Sequence, residues 1–177
     1  MTNSWEQCEL SELITNGGSG GTPSTSNPSY YTGEIPFLSI TDISNSDGYI
    51  FDTEKHISNE GLRSSAAWIV PAESVSLAMY ASVGKVAILK KNAATSQAFY
   101  NLVFDDLTIR NVVFQILKRK EASNEWQSLI STGTQSNLNA EKVRESHISI
   151  PSNKQEQAKI SSLLFKLDFL ITLHQRE

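Results

Sequence analysis

The tetrapeptide Asn27-Pro28-Ser29-Tyr30 comes nearest to a catalytic signature in this sequence. Adenine amino-methyltransferases use Asn-Pro-Pro-Tyr at the end of a buried strand. The Asn side chain and the next carbonyl hold the target amine, and the aromatic ring stacks on the flipped base. Here the run follows Gly20-Gly21-Thr22-Pro23-Ser24-Thr25-Ser26, which does not make such a strand, and no glycine-rich turn after an apolar strand lies upstream to hold S-adenosylmethionine. It reads as a loop. Gly17-Gly18-Ser19-Gly20-Gly21 has the glycines of a phosphate cradle but no Lys-Ser/Thr after it. His56, His147 and His174 stand far apart, with no helix-turn or Cys-pair spacing, so a zinc site would need assembly by tertiary structure alone. Asp105 and Asp106 are adjacent and read as a turn, and no Gly-x-Ser-x-Gly elbow or His-Glu-x-x-His helix occurs. The expectation is a chain without catalysis, metal or cofactor of its own.

The elements that would position any site follow from composition and period. With 177 residues, 39% hydrophobic and 19% charged, the chain has room for one buried domain and an appendage of a few tens of residues. No apolar run approaches the ~20 residues that span a bilayer. Met1 to Leu10 lacks the basic and apolar halves of a secretory signal, and the lone Cys8 fits a reducing compartment, so a cytoplasmic location is expected. Net charge is −4, but unevenly spread: residues 1–52 hold seven acids and no Lys or Arg, whereas 53–121 hold nine bases against six acids. A phosphate-neutralising surface would therefore draw on the middle third, unless those bases are simply solvated.

Residues 9–15 read as a helical turn, 17–31 as a long loop, 35–40 as a strand and Asn45 to Gly48 as a turn. Alternation at Val75, Leu77 and Met79, and again from Val83 to Leu89, predicts two strands meeting near Gly84, with a further strand in 97–104. Ile109, Val112, Val113, Ile116 and Leu117 then fall at i, i+3, i+4, i+7 and i+8, an amphipathic helix. Trp126, Leu129 and Ile130 suggest a short helix, Gly133-Thr134-Gln135 a loop, Asn139 the cap of another short helix, and His147 to Ile150 a strand stopped by Pro151. The fold expected is α+β: mixed and antiparallel strands with packed short helices over residues 1–151. A long coiled-coil-type helix over 152–177 follows, opened by a Ser152/Gln155 capping box. Ile160, Leu163, Leu164, Leu167, Leu170 and Ile171 lie along one face of it. Such a face either folds back on its own domain or pairs with another helix.

Taken together, the residues resemble a target-recognition domain of type I restriction-modification specificity subunits. The resemblance runs through Trp5-Glu6-Gln7, Gly21-Thr22-Pro23, Tyr30-Tyr31, Gly33-Glu34-Ile35-Pro36-Phe37 and Thr41-Asp42-Ile43. It continues through Gly61-Leu62, Ser64-Ser65-Ala66, Ser82-Val83-Gly84-Lys85-Val86-Ala87-Ile88 and Ser96-Gln97-Ala98. Gly133-Thr134-Gln135, Ile148 to Pro151, Glu156-Gln157 and Leu163-Leu164 to Ile171 complete it. Ser96 departs from the Asn that the family more often has there. No single motif is specific; their order across nearly the whole chain carries the likeness.

The resemblance implies one globular domain reading half of a split duplex-DNA target and one spacer helix, here cut short. In the family, helices set the gap between half-sites, two modification subunits bring S-adenosylmethionine and methyl transfer, and restriction subunits join to cut. A half-subunit could pair with a copy of itself or with a second half through the helix face. Candidate DNA contacts on polar loops are Thr22, Ser24, Tyr30, Tyr31, Thr41, Asp42, Tyr80, Ser82, Lys85, Thr134 and Gln135, with Lys85, Lys90 and Lys91 for phosphates. Two other readings stay open: the recognition subunit of a related restriction-methylation enzyme, and an oligomerisation protein without a DNA role. The methyltransferase fragment is the third.

Overall fold

Trp5–Glu9 forms an edge strand (β1) whose partner lies some 140 residues away, so local alternation does not announce it. In this computed structural model, which describes residues 4–130 and 138–174, the first half continues with β2 (Asn16–Ser19), β3 (Ile35–Leu38), α1 (Ile40–Asn45), β4 (Tyr49–Ile50), β5 (Lys55–Ile57), α2 (Asn59–Arg63) and β6 (Ile69–Val70). β7 (Val75–Ala78), β8 (Val86–Leu89), β9 (Ala93–Thr95), β10 (Phe99–Val103), α3 (Leu107–Ala122), α4 (Ala140–Arg144), β11 (His147–Pro151) and α5 (Lys154–His174) follow. Tight 3-10 turns occupy Leu10–Glu12, Pro28–Tyr31 and Glu125–Leu129.

The strands make three sheets: β1-β11, the five-stranded β2-β10-β7-β8-β4, and the four-stranded β5-β3-β9-β6. Pairing is antiparallel except β3 with β9 and β4 with β8, so the α+β class with mixed strands holds. The five-stranded sheet is buried on both faces. Leu77, Ile88 and Leu102 point to α3, where they meet Val113, Phe114 and Leu117. Ala78, Ala87, Leu89 and Phe99 point to the four-stranded sheet and meet Leu38, Ile43 and Val70. Between the sheets, buried Asn101 donates to Thr95 Oγ1 (2.8 Å) and the Gly18 carbonyl (3.0 Å) and accepts from Ser76 Oγ (2.8 Å). Each polar atom there answers another, which is why a buried amide is tolerated.

Several expectations hold: the β7–β8 pair, a strand within 97–104, α3, the Asn139-capped α4 and β11. Others are corrected. The 17–31 loop begins with β2, because Gly17, where a Cβ would sit 2.9 Å from the Asn101 carbonyl oxygen, lets the backbone lie against β10. The strand from Ile35 stops at Leu38, since Ser39 and Asp42 cap each other and start α1 (Ser39 N–H to Asp42 Oδ2 2.8 Å; Asp42 N–H to Ser39 Oγ 3.2 Å). The expected Ser152/Gln155 box is replaced by Asn153, whose Oδ1 accepts from the N–H groups of Gln155 (2.8 Å) and Glu156 (3.2 Å). Ser152 is drawn away to the Ser4 carbonyl, which extends the β1-β11 pairing.

Candidate nucleic-acid interface

One end of the five-stranded sheet gathers polar loops from distant parts of the chain. The Met79 N–H donates to the Ala98 carbonyl (2.8 Å), joining the end of β7 to the start of β10. On one side of that junction Thr22 Oγ1 donates to Gln97 Oε1 (2.8 Å), and the Gly21 N–H donates to the Thr95 carbonyl (3.0 Å). A Cβ on Gly21 would come within 2.8 Å of the Ala66 backbone, so the Gly21-Thr22-Pro23 run is glycine-bearing in order to lie close to the 64–67 segment. On the other side, the Leu138 N–H donates to the Met79 carbonyl (3.1 Å), next to Tyr80, which is 44% exposed. Thr22, Gln97 and Tyr80 thus share one edge.

The turn joining β7 to β8 extends this edge. Ser82 and Gly84 take φ of 53° and 85°, and a Cβ on Gly84 would sit 2.1 Å from Cδ1 of Trp126, so the turn rests on a buried indole. Ser82 Oγ lies 3.0 Å from Ser44 Oγ, and Lys85 Nζ donates to the Ser44 carbonyl (2.7 Å), which fastens the turn to α1. Thr41 on α1 is exposed, whereas Asp42 spends both carboxylate oxygens on Ser39 and on the Glu54 N–H (3.0 Å).

A second group flanks Thr22. Tyr31 OH donates to the Pro23 carbonyl (2.7 Å), and its ring meets Phe37 edge-on at 6.4 Å. Burial raises the Tyr31 phenol above its ordinary pKa, so it stays a neutral donor. Ser24 and Ser26 hydroxyls are 2.7 Å apart. Asn27 caps the Pro28–Tyr31 turn by accepting from the Ser29 N–H (3.2 Å) and Oγ (2.7 Å); its carbonyl is committed locally rather than offered to a base. Tyr30, half-buried, packs under α2: its carbonyl accepts from the Ser58 N–H (2.9 Å). Exposed Arg63 ends α2, and exposed Lys55 lines an open cleft of about 560 Å³ with Thr25, Tyr31 and His56. Among the described residues neither Arg63 nor Lys55 forms an ion pair.

The three lysines picked for phosphates part company. Lys85 belongs to the turn, but Lys90 lies beyond the other end of β8 and pairs with Glu73, while Lys91 donates to Asp52 Oδ2 (2.7 Å). The bond from Lys91, with lesser help from the Thr53 N–H and His56, lowers the Asp52 pKa to about 2. Thr134 and Gln135 lie outside the described residues. Gln97 is the addition, while Arg63 and Lys55 come from the basic middle third that the charge distribution offered for phosphates. The sequence does carry Gln97 inside Ser96-Gln97-Ala98, but only tertiary pairing puts it beside Thr22.

Helix α5 divides its apolar residues. Ile160 and Leu164 are half-buried and line a cleft with Ile116 and Trp5, whereas Leu163, Leu167, Leu170 and Ile171 are 45–59% exposed. Leu163, Leu167, Leu170 and His174 follow a 4-3-4 spacing, a heptad seam turned away from the domain. Among the described residues no helix is long and apolar enough to cross a membrane, and no group of three His, Cys, Asp or Glu is placed to hold a metal.

The geometry can be set beside known proteins. The family model for the type I restriction modification DNA specificity domain matches residues 2–177. The chain belongs to this family. As a specificity module it has no catalytic role of its own. It is 29% identical over 168 residues to the type I restriction enzyme MjaIX specificity subunit of Methanocaldococcus jannaschii, covering 94% of this chain and 38% of the relative. It is 30% identical over 154 residues to the HindI specificity subunit of Haemophilus influenzae, covering 85% of this chain and 32% of that one. The fold is also that of the M. genitalium S subunit (TM-score 0.65, 17% identity, 94% of this chain and 40% of that one). A chain from a study of complex assembly and conformational transition in a type I R-M system aligns with TM-score 0.74 and 17% identity, over 99% of this chain and 41% of its own. The specificity module therefore spans well under half the length of these relatives.

Proposed function

We propose that this chain is one recognition half: residues 1–151 read one part of a split duplex-DNA target, and α5 is its spacer helix. The observation that carries this is the convergence of Thr22, Gln97, Tyr80 and Ser82 at one sheet end in a specificity-family chain, with the unpaired cations Arg63 and Lys55 on the adjoining flank. Hydroxyls, an amide and a tyrosine supply donors and acceptors for base edges; cations supply phosphate contacts that set register. Lys90 and Lys91 can still turn to phosphates, at the expense of their carboxylate partners.

Two modification subunits carrying S-adenosylmethionine are the proposed partners, joined by restriction subunits. The exposed seam of α5 pairs with the spacer helix of a second half or a second copy of this chain. Four side chains about half exposed, at ~1.5–3 kcal/mol for full burial, leave roughly 3–6 kcal/mol of gross drive before the entropy of association. The test is to mix the chain with its cognate modification subunit, weigh the complex, and sequence the duplexes it selects from a random pool. A short motif repeated at fixed spacing is expected. No complex and no motif would refute the reading.

A further inference from the structure

The face that α5 turns to its own domain sets polar side chains among the half-buried Ile160, Leu164 and Phe165, while Leu163, Leu167 and Leu170 stay in the open. Gln157 and Ser161 are 5% and 6% exposed. Ser161 Oγ accepts from Asn111 Nδ2 (3.0 Å), and Asp168 accepts from Gln115 Nε2 (2.6 Å) and Lys118 Nζ (3.0 Å). Apolar contact comes from Phe165, which packs on the core and meets Tyr49 edge-on at 5.6 Å.

These bonds are braced from below. Asn111 Oδ1 accepts from Arg110 Nε (2.9 Å) and a guanidinium NH₂ (2.6 Å), which fixes the amide so that Nδ2 must face the helix. Arg110 is itself 4% exposed and donates on its other side to Glu73, a residue held at φ 67° in the turn before β7. Apolar packing tolerates sliding; hydrogen bonds fail within a few tenths of an ångström or a few tens of degrees. A joint built from them defines an angle.

The lever is long enough for that angle to matter. From Ser161 to Asp168 is roughly 10 Å along the axis, and the 21-residue helix is roughly 30 Å, at 1.5 Å per residue. About 1 Å of slack across the joint becomes about 2 Å at His174, roughly 20 Å beyond Ser161, which is over half of the ~3.4 Å between successive base pairs. We propose that the Asn111–Ser161 and Gln115/Lys118–Asp168 bonds are an angular joint that fixes the tilt of α5 on the domain, and through it the gap between half-sites. The gap part rests on the split-target reading above; the tilt part does not. Ser161 and Asp168 act as positioning residues and touch no DNA.

The test uses the full chain with its cognate modification subunit, comparing wild type with Ser161→Ala/Asp168→Ala. Random-duplex selection is expected to return the same half-site bases from both. The gap should spread from one length in the wild type to two or three adjacent lengths in the variant. A variant that keeps a single gap overturns the proposal. In parallel, spin labels at Thr25→Cys and His174→Cys, in a Cys8→Ser background, report the domain–helix distance. A narrow distribution is expected to at least double in width in the variant; an unchanged width overturns the joint itself. If the wild type selects no split motif, the split-target reading falls while the label widths still judge the joint. Should the double variant fold poorly, Asp168→Asn takes its place: it keeps an oxygen for Gln115 but loses the charge facing Lys118. Its distribution is then expected to lie wider than that of the wild type, and equality with the wild type counts against the proposal.

Discussion

Removing the Glu73 carboxylate is expected to destabilise the chain through a residue on another element. Glu73→Ala strands the Arg110 guanidinium, which is 5% exposed, without its ionic partner. Breaking a fully buried pair in this way costs ~3–5 kcal/mol. Here Glu73 is 33% exposed and water screens part of the loss. Arg110 also keeps the Asn111 amide and, at 3.3 Å, the Glu73 carbonyl. The expected loss is therefore about 2–3 kcal/mol, or roughly 4–12 °C in Tm for a chain of this size. The sign with pH follows from the titration of Glu73. Burial alone would push its carboxyl up, but hydrogen bonds from Lys90 and Arg110, with their charges, outweigh that and hold the pKa below the ordinary 4.5. A depressed folded pKa gives stability that is fully present above the unfolded value and is lost as pH falls through the folded one. Thermal melts of wild type and Glu73→Ala should thus differ at pH 7 and converge as the pH is lowered through and below the 4.5 region. Equal Tm at pH 7, or a difference that persists unchanged at pH 3, would refute the reasoning.

Gly84→Ala places a methyl into Trp126 at a positive φ, so a loss of about 2–4 kcal/mol is expected, read from melts and from a changed Trp126 emission. Leu163→Glu/Leu167→Glu puts charges on the exposed seam of α5; the mass of the assembly should fall to that of one half with the domain's melt nearly unchanged. Lys55→Ala and Arg63→Ala should each reduce the slope of log K against log salt by ~0.9 if each meets one phosphate, measured by anisotropy with the selected duplex.

Much of the fold was legible because period and burial agree locally. The α3 stripe, the alternation in β7 and β8 and the Asn139 cap all act within a few residues. What escaped depends on partners far along the chain. The β1 run Trp5–Glu9 has an exposed pattern, and becomes a strand only because β11 returns beside it. Thr41 and Asp42 read as free polar groups although Ser39 and Asp42 have capping-box spacing; that signal was present, and it commits Asp42 to holding α1. The candidate site was half legible. Polar loop residues can be named from the sequence, but only the β7–β10 junction puts Thr22, Gln97 and Tyr80 together, and only the far end of β8 separates Lys90 from Lys85. The apolar face of α5 read as one stripe from Ile160 to Ile171. Packing on α3 splits it, since Asp168 and Ser161 have better partners there than leucines would.

The most direct measurement of DNA-reading by this chain is to co-express it with its cognate modification subunit in a host without DNA methylation, and to map every methylated base in the genome. The expected result is methylation confined to a single short motif or a split motif of fixed gap, which disappears when the chain is omitted. Methylation scattered without a motif, or the same motif in the chain's absence, would contradict it.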